Sequence, residues 1–383
     1  MNQKELNELR RRFKSDHSGI THIYGCFVNA AREVVAETDT SLGMVSKEEQ
    51  EMYLALLKKT LSGTLGRNLI SVPFRNEQVA EKSDEHALLQ TLRECACSDE
   101  KARRDLFERI ITSIDMQGEN YLILLAGDAY DVPSHHKDSA PDESSDEVFR
   151  FFVCSVCPVK DSTAALRYFA EESAFRGTST GQTVAAPAVG FVFPAFDDRR
   201  ANIYDVLYYS HDTAEIHPEL IDGLFRVEPP MSAAEQKENF SETLAETLEN
   251  DCSFDVVQAV HEDICSRILE HKESHDPDAL EITARDVVSV LRTNGVPLEK
   301  TEKFERECEK RYGAHAALDP KNLVESKKFE VSTPEVKITL PSEYSYLVET
   351  REIDGRAYIL IPADGGVEVN GINVNLHEKK KTE

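Results

Sequence analysis

The chain has 383 residues, 40% of them apolar and 30% charged, with 70 acids against 44 bases and a formal net charge of −26. At roughly 100–200 residues per domain, this length suggests two or three domains, and the apolar share excludes a chain disordered throughout. No run approaches the ~18 apolar residues of a membrane span. So acidic a chain is a poor whole-surface binder of nucleic acid or anionic lipid, which leaves only a local basic site open.

Residues 3–14 predict a short helix with Leu6, Leu9 and Phe13 on one side. The opening MNQKELNELRRRFK is charged and has no apolar core, so no secretory signal is expected. A strand pair follows, through Ile23, Cys26 and Val28 and then Val34 and Val35. Ser46 and Glu49 have the spacing of a capping box, which satisfies two free amides at a helix start. The helix behind it carries Leu56, Leu57 and Leu61 and stops near Gly63; LISVPF reads as a strand. Leu88, Leu89 and Leu92 mark another helix, and Leu106, Phe107, Ile110 and Ile114 a further one.

From Asn120 the texture changes to short β-branched and aromatic runs: YLILLAGDAYDVP, VFRFFVCSVCPVK, VGFVFPAF and DVLYYSHD. They predict an antiparallel sheet over about 120–212. The insert Pro133 to Glu147 reads as an acidic loop. STAALRYFAEESAF fits either a strand with Leu166, Tyr168 and Ala170 inward or a helical turn. Beyond Pro229-Pro230 the helical period returns, with a capping box at Ser232/Glu235 and a helix start at Thr283/Asp286 closed by Gly295. Residues 232–320 carry 21 acids and 10 bases, a net of −11. The last 60 or so residues turn β again, with Asp354-Gly355 and Asn370-Gly371 as hairpin turns. The expected fold is α+β: N-terminal helices packed on a central antiparallel sheet, an acidic helical segment, and a small C-terminal antiparallel β unit. The expected domains are 1–228 and 229–383.

Eight cysteines in a chain of this length without a leader predict reduced thiols in a cytosol. Cys154 and Cys157 form the one CxxC, but they stand on a predicted strand, where a spacing of three puts the thiols on opposite faces. No second pair completes a zinc set. His261 and Cys265 are i, i+4 on a helix without an evident third ligand, and His135-His136 sits in the acidic loop. No HExxH or Walker pattern is present, and no catalytic residue, metal site or cofactor is assigned.

The string Lys58-Lys59-Thr-Leu-Ser-Gly63-Thr-Leu-Gly66-Arg67-Asn68 is the most suggestive. Its GxxG with flanking bases resembles the loop by which KH domains grip a nucleic-acid backbone. The ordinary alternative is a helix C-cap and a tight turn, with bases favourable near a helix C-terminus. Arg10, Arg11, Arg12 and Lys14 make a second basic spot, with a phosphate-contacting arm and a solvated helix end as its two readings. Paired acids Asp197-Asp198 with Arg199, together with Asp128 and Asp131, lie near predicted strand ends. If they converge they would serve an acid–base or metal-assisted reaction.

The stretches RRRFK, IYGCFVN, KKTLSGTLGRNL, ENYLILLAGDAYDVP, FVCSVCPVK, GFVFPAFDDRRANIYDVLYYS, HPELID, KFEVSTPEV, LVETREIDGRAYILIP and VEVNGINV span residues 10 to 374. Through them the chain resembles a family of Firmicutes proteins catalogued as domain of unknown function 4317. That resemblance implies a cytosolic bacterial protein and assigns no residue roles. In the order of its elements alone, the chain is also similar to bacterial nucleoid-associated proteins, which implies nucleic acid as one class of partner. The expected function is a non-catalytic, cytoplasmic binding protein. Its partner is expected to be another protein or, at a confined basic surface, nucleic acid, with self-association left open and no membrane involved. The alternative is an enzyme assembled from the strand-end acids.

Overall fold

A computed structural model describes residues 1–132, 147–169, 171, 173–178, 180–313 and 316–374. His135-His136, most of the acidic insert, Ala170 and the lysine tail Lys379-Lys380-Lys381 lie outside the described residues. The chain forms two compact units, residues 1–235 with 277–279, and residues 236–276 with 280–383. No helix among the described residues is long and apolar enough to cross a membrane.

The first unit runs α1 (Gln3–Arg12), β1 (His22–Val28), β2 (Val34–Ser41), α2 (Lys47–Lys58), β3 (Leu69–Pro73), α3 (Asn76–Ala80), α4 (Asp84–Glu94) and α5 (Glu100–Ser113). It continues with β4 (Asn120–Val132), β5 (Glu147–Ser162), β6 (Ala165–Phe169), β7 (Ala174–Thr178), β8 (Gly181–Val184), β9 (Val189–Phe193), β10 (Ala195–Asp197), β11 (Arg200–Asn202), β12 (Asp205–Ser210) and α6 (Pro218–Phe225). Eight strands make one antiparallel sheet in the order β2-β1-β4-β5-β9-β12-β3, with β8 paired to the far end of β5.

The alternation within β5 explains why both faces of that sheet are covered. Phe149, Phe151, Val153 and Cys157 pack with Leu6 and Leu9 of α1 and Leu54 and Leu57 of α2. Phe152, Cys154 and Val156 point the other way, onto Leu89 and Leu92 of α4, Leu106 and Ile110 of α5, and Leu220 and Leu224 of α6. The CxxC thiols therefore stand in different cores, as a spacing of three on a strand requires. Each fully buried Leu or Phe in these layers contributes about 1.5–3 kcal/mol. Two glycines are fixed by close approach. A Cβ on Gly127 would stand 2.6 Å from the Ala96 Cα, and one on Gly190 2.4 Å from the Cys154 carbonyl oxygen and 2.7 Å from Thr60 Cγ2.

The ambiguous segment after β5 is a hairpin, β6–β7. Leu166 and Tyr168 are exposed, 74% and 56%, and not inward as the alternation suggests. The physical reason is that, among the described residues, β6 pairs only with β7 and joins neither layer of the main sheet.

The second unit contains most of α7 (Ala233–Leu248), with α8 (Phe254–Ser274), α9 (Ala284–Thr293), α10 (Leu298–Tyr312) and α11 (Pro320–Leu323). Phe240, Leu244, Val260, Ile264, Leu291 and Phe304 form its core. Three ribbons follow: β13 (Lys328–Ser332) with β14 (Lys337–Pro341), β15 (Glu349–Ile353) with β16 (Arg356–Leu360), and β17 (Val367–Val369) with β18 (Ile372–Val374). Asp354-Gly355 and Asn370-Gly371 both have positive φ at the two central positions (51° and 73°; 51° and 83°), as a type I′ turn demands.

Candidate functional site

The two basic strings predicted from sequence meet. Arg10 at the end of α1 donates from Nε to the Leu61 carbonyl (2.7 Å) and from a terminal nitrogen to the Gly63 carbonyl (3.0 Å). It thus serves the free carbonyls of the turn that ends α2, and burial lowers its pKa. Arg11, Lys14 and Lys59 are exposed, and Lys58 and Arg67 half-buried. None of these five makes an ion pair or side-chain hydrogen bond with a described residue.

The loop itself is closed on itself. Gly63 and Gly66 both have positive φ, and a Cβ on Gly63 would stand 2.5 Å from the Asn68 Cβ. The amides of Arg67, Asn68 and Leu69 all donate to the Thr64 carbonyl, and that of Gly66 donates to the Leu69 carbonyl. The Asn68 amide group donates to the carbonyls of Ser210 and His211. Thr60 and Ser155 hydroxyls meet at 2.6 Å beneath it, which anchors the loop to the sheet. Its charged rim can meet an anion. Those four amides are already engaged, so the loop is not built as an open phosphate cradle.

Arg12 turns inward. It bonds Asp128 through two nitrogens (3.1 and 3.3 Å), and its guanidinium lies 4.8 Å over the Tyr130 ring. The Asp128 side chain is fully buried. Burial raises its pKa, against the opposing pull of Arg12. Arg199 pairs with Glu8 of α1 (2.7 Å), the Tyr130 hydroxyl donates to the same carboxylate, and Asp197 accepts from the Met1 amine (2.8 Å). Of the acids proposed for an assembled enzyme site, Asp128 is thus paired with Arg12 and Asp197 with the Met1 amine, while Asp131 and Asp198 are exposed. His261 and Cys265 approach to 3.7 Å, but burial pushes the thiol pKa up and no third ligand joins them among the described residues.

The C-terminal ribbons carry a different feature. The first is tied down: Phe329 of β13 is buried edge-on against Phe254 and His261 of α8. The next two have no buried strand residue. In β17–β18 the register pairs Val367 with Val374 and Val369 with Ile372, which puts four apolar side chains on one face and Glu368 and Asn373 on the other. Val369 is 50% and Ile372 68% exposed. Ile353, Tyr358 and Ile361 are exposed as well. Within the same unit, a groove of about 530 Å³ lies along α8 and is lined by Glu262, Cys265, Leu269, Pro341, Glu343 and Tyr346. The alternation in VEVNGINV was legible as a hairpin; the exposure of Val369 and Ile372 was not.

Fold and site together define an α+β protein with a doubly covered antiparallel sheet and a ribboned, acidic second unit. The chain belongs to the family described as a domain of unknown function, DUF4317, whose model matches residues 1–372. No curated protein matches the chain.

Proposed function

We propose that the chain is a non-catalytic binding protein that takes a protein partner on its C-terminal ribbons. One observation carries this reading: on the apolar face of β17–β18, Val369 and Ile372 are exposed among the described residues, beside half-buried Val367 and Val374. A two-stranded ribbon is marginal by itself in water, and an amphipathic one gains stability when its apolar face is covered. Among the described residues no further strand pairs with β15–β16, which leaves backbone donors and acceptors on its edges for strand addition. Residues 349–374 carry five acids and two bases, which favours a partner with basic residues beside its apolar ones.

The test is crosslinking in the protein's own host, followed by peptide mapping. Wild-type chain is expected to crosslink to a protein through residues 349–374. Val369→Ser with Ile372→Ser should reduce that recovery by at least about tenfold, since two contacts of ~1 kcal/mol or more are removed. Thermal melting should not change. Equal recovery from the double variant, or crosslinks that avoid these ribbons, would overturn the proposal.

A second reading concerns the unpaired bases Arg11, Lys14, Lys58, Lys59 and Arg67, gathered by the Arg10 clasp. They suit a phosphate-bearing ligand such as nucleic acid. Binding to duplex and single-stranded probes across salt tests it. Replacement of Lys58, Lys59 and Arg67 by Ala should weaken binding and flatten its salt slope, and absence of binding at low salt rejects it.

A further inference from the structure

A second cluster lies in the first unit, in the connection between β12 and α6, and it owes nothing to the ribbon reading. The segment runs His211-Asp-Thr-Ala-Glu215-Ile-His217-Pro-Glu219. It is held from beneath. The Ser210 hydroxyl bonds the carbonyls of Asp212 (2.8 Å) and Glu215 (2.9 Å), Ile216 is buried, and its carbonyl accepts from the Tyr208 hydroxyl at 2.8 Å.

These anchors bring three side chains of mixed type together. One ligand atom each from Glu215, His217 and Glu219 lie within 4.8 Å of one another. His217 Nδ1 is 3.0 Å from Glu219 Oε1, and the imidazole is only 14% exposed. Glu215 and His217 border a cleft of about 340 Å³ whose walls also carry Asp115, Glu119, His211 and Asp212. Arg32 reaches Asp115 at 3.6 Å.

Ligand atoms at about 2.0–2.2 Å from a shared ion stand roughly 3–3.5 Å apart, so a small closure of this trio suffices. Two carboxylates offer the charge that a divalent cation needs. The imidazole favours a transition metal over magnesium or calcium, which prefer all-oxygen shells. Three protein ligands leave at least one position for water or for His211 to complete.

We propose that Glu215, His217 and Glu219 bind a divalent transition-metal ion of the zinc and cobalt class, which clips the β12–α6 connection to the start of α6. On metal uptake His217 exchanges its bond with Glu219 for a bond to the ion. The site is then a structural clip with an open coordination position.

The experiment uses the full chain stripped of metal by chelation. Calorimetric titration with Zn²⁺ and visible spectroscopy with Co²⁺ are run on wild type, Glu215→Gln, His217→Gln and Glu219→Gln. Wild type should take up a tight equivalent absent from the variants, with each variant at least about tenfold weaker and the cobalt bands changed. Zn²⁺ should raise the melting temperature of wild type and not of Glu215→Gln. Glu215 is exposed, so its variant keeps the metal-free melting of wild type even if His217→Gln misfolds. Equal Zn²⁺ affinity in Glu215→Gln and wild type would overturn the site. Equal stabilisation of wild type by Mg²⁺ would overturn the assigned class of metal.

Discussion

Replacement of Arg12 by Ala should expose a strong electrostatic dependence in the first unit. Asp128 sits with no side-chain exposure in the second half of β4, and its oxygens bond Arg12 Nε and a terminal nitrogen. Removal of one member of a buried pair costs about 3–5 kcal/mol, because the partner charge stays behind uncompensated. The Arg12 side chain is 20% exposed, and water can enter the space it leaves, so the low end, about 3 kcal/mol at pH 7, is expected. The sign with pH follows from Asp128. Its folded pKa lies above the ordinary 3.8, chiefly through desolvation, and Arg12 is what opposes the rise. Without Arg12 the folded pKa climbs further. The folded state then takes up a proton before the unfolded state does as pH falls. The deficit of the variant is therefore full above the folded pKa and shrinks as pH drops through it towards 3.8. Addition of Asp128→Asn to Arg12→Ala removes the stranded charge and should restore more than 1 kcal/mol at pH 7. The chain has no tryptophan, so urea unfolding is followed by circular dichroism, with hydrogen exchange on β4 peptides to place the loss in the first unit. A deficit that does not vary with pH, or a double variant no more stable than Arg12→Ala, would refute the reasoning.

Gly190→Ala should destabilise the first unit by about 1–3 kcal/mol, read by urea midpoint, because the new methyl meets the Cys154 carbonyl and Thr60. Exchange protection should fall first at the Thr60–Asn68 loop. Cys26, Cys97, Cys154, Cys157 and Cys308 are buried, and burial pushes Cys26 to about 11 and Cys157 and Cys308 to about 12. A thiol reagent at pH 8 should thus modify Cys95, Cys252 and Cys265 first, with all eight reacting in denaturant; fast labelling of Cys157 would contradict the double-core sheet. Thr283→Ala should cost the second unit about 1 kcal/mol by calorimetry, since the Thr283 hydroxyl (2.6 Å) and amide (2.8 Å) both donate to the Asp286 carboxylate at the start of α9.

Local chemistry wrote much of this fold directly into the chain. The caps at Ser46, Ser232 and Thr283, the stripe through Val256, Val260 and Ile264, and the Asp-Gly and Asn-Gly turns each depend on a few neighbouring residues, so their signals survive without tertiary context. The CxxC on opposite faces is of the same kind, because strand period alone decides it. Burial was not legible in that way. Leu166 and Tyr168 alternate like core residues, yet their ribbon has no layer above it. VEVNGINV alternates as cleanly as a packed strand, yet Val369 and Ile372 are exposed.

Long-range pairing was the other hidden part. Sequence marked Arg10, Arg11 and Arg12 as one basic string, while the fold uses Arg10 to close a loop some 51 positions away and Arg12 to neutralise an aspartate 116 positions away, with Arg11 left to solvent. His217 carries no motif, since a histidine between two glutamates is common, and it gains meaning only from the left-handed turn that folds those carboxylates towards it. The sequence by itself determined which elements form, because hydrogen-bonded turns, caps and periodicity are local. Which charges are cancelled, which apolar faces stay open and which side chains converge was decided only in three dimensions, because each depends on what the rest of the chain brings alongside.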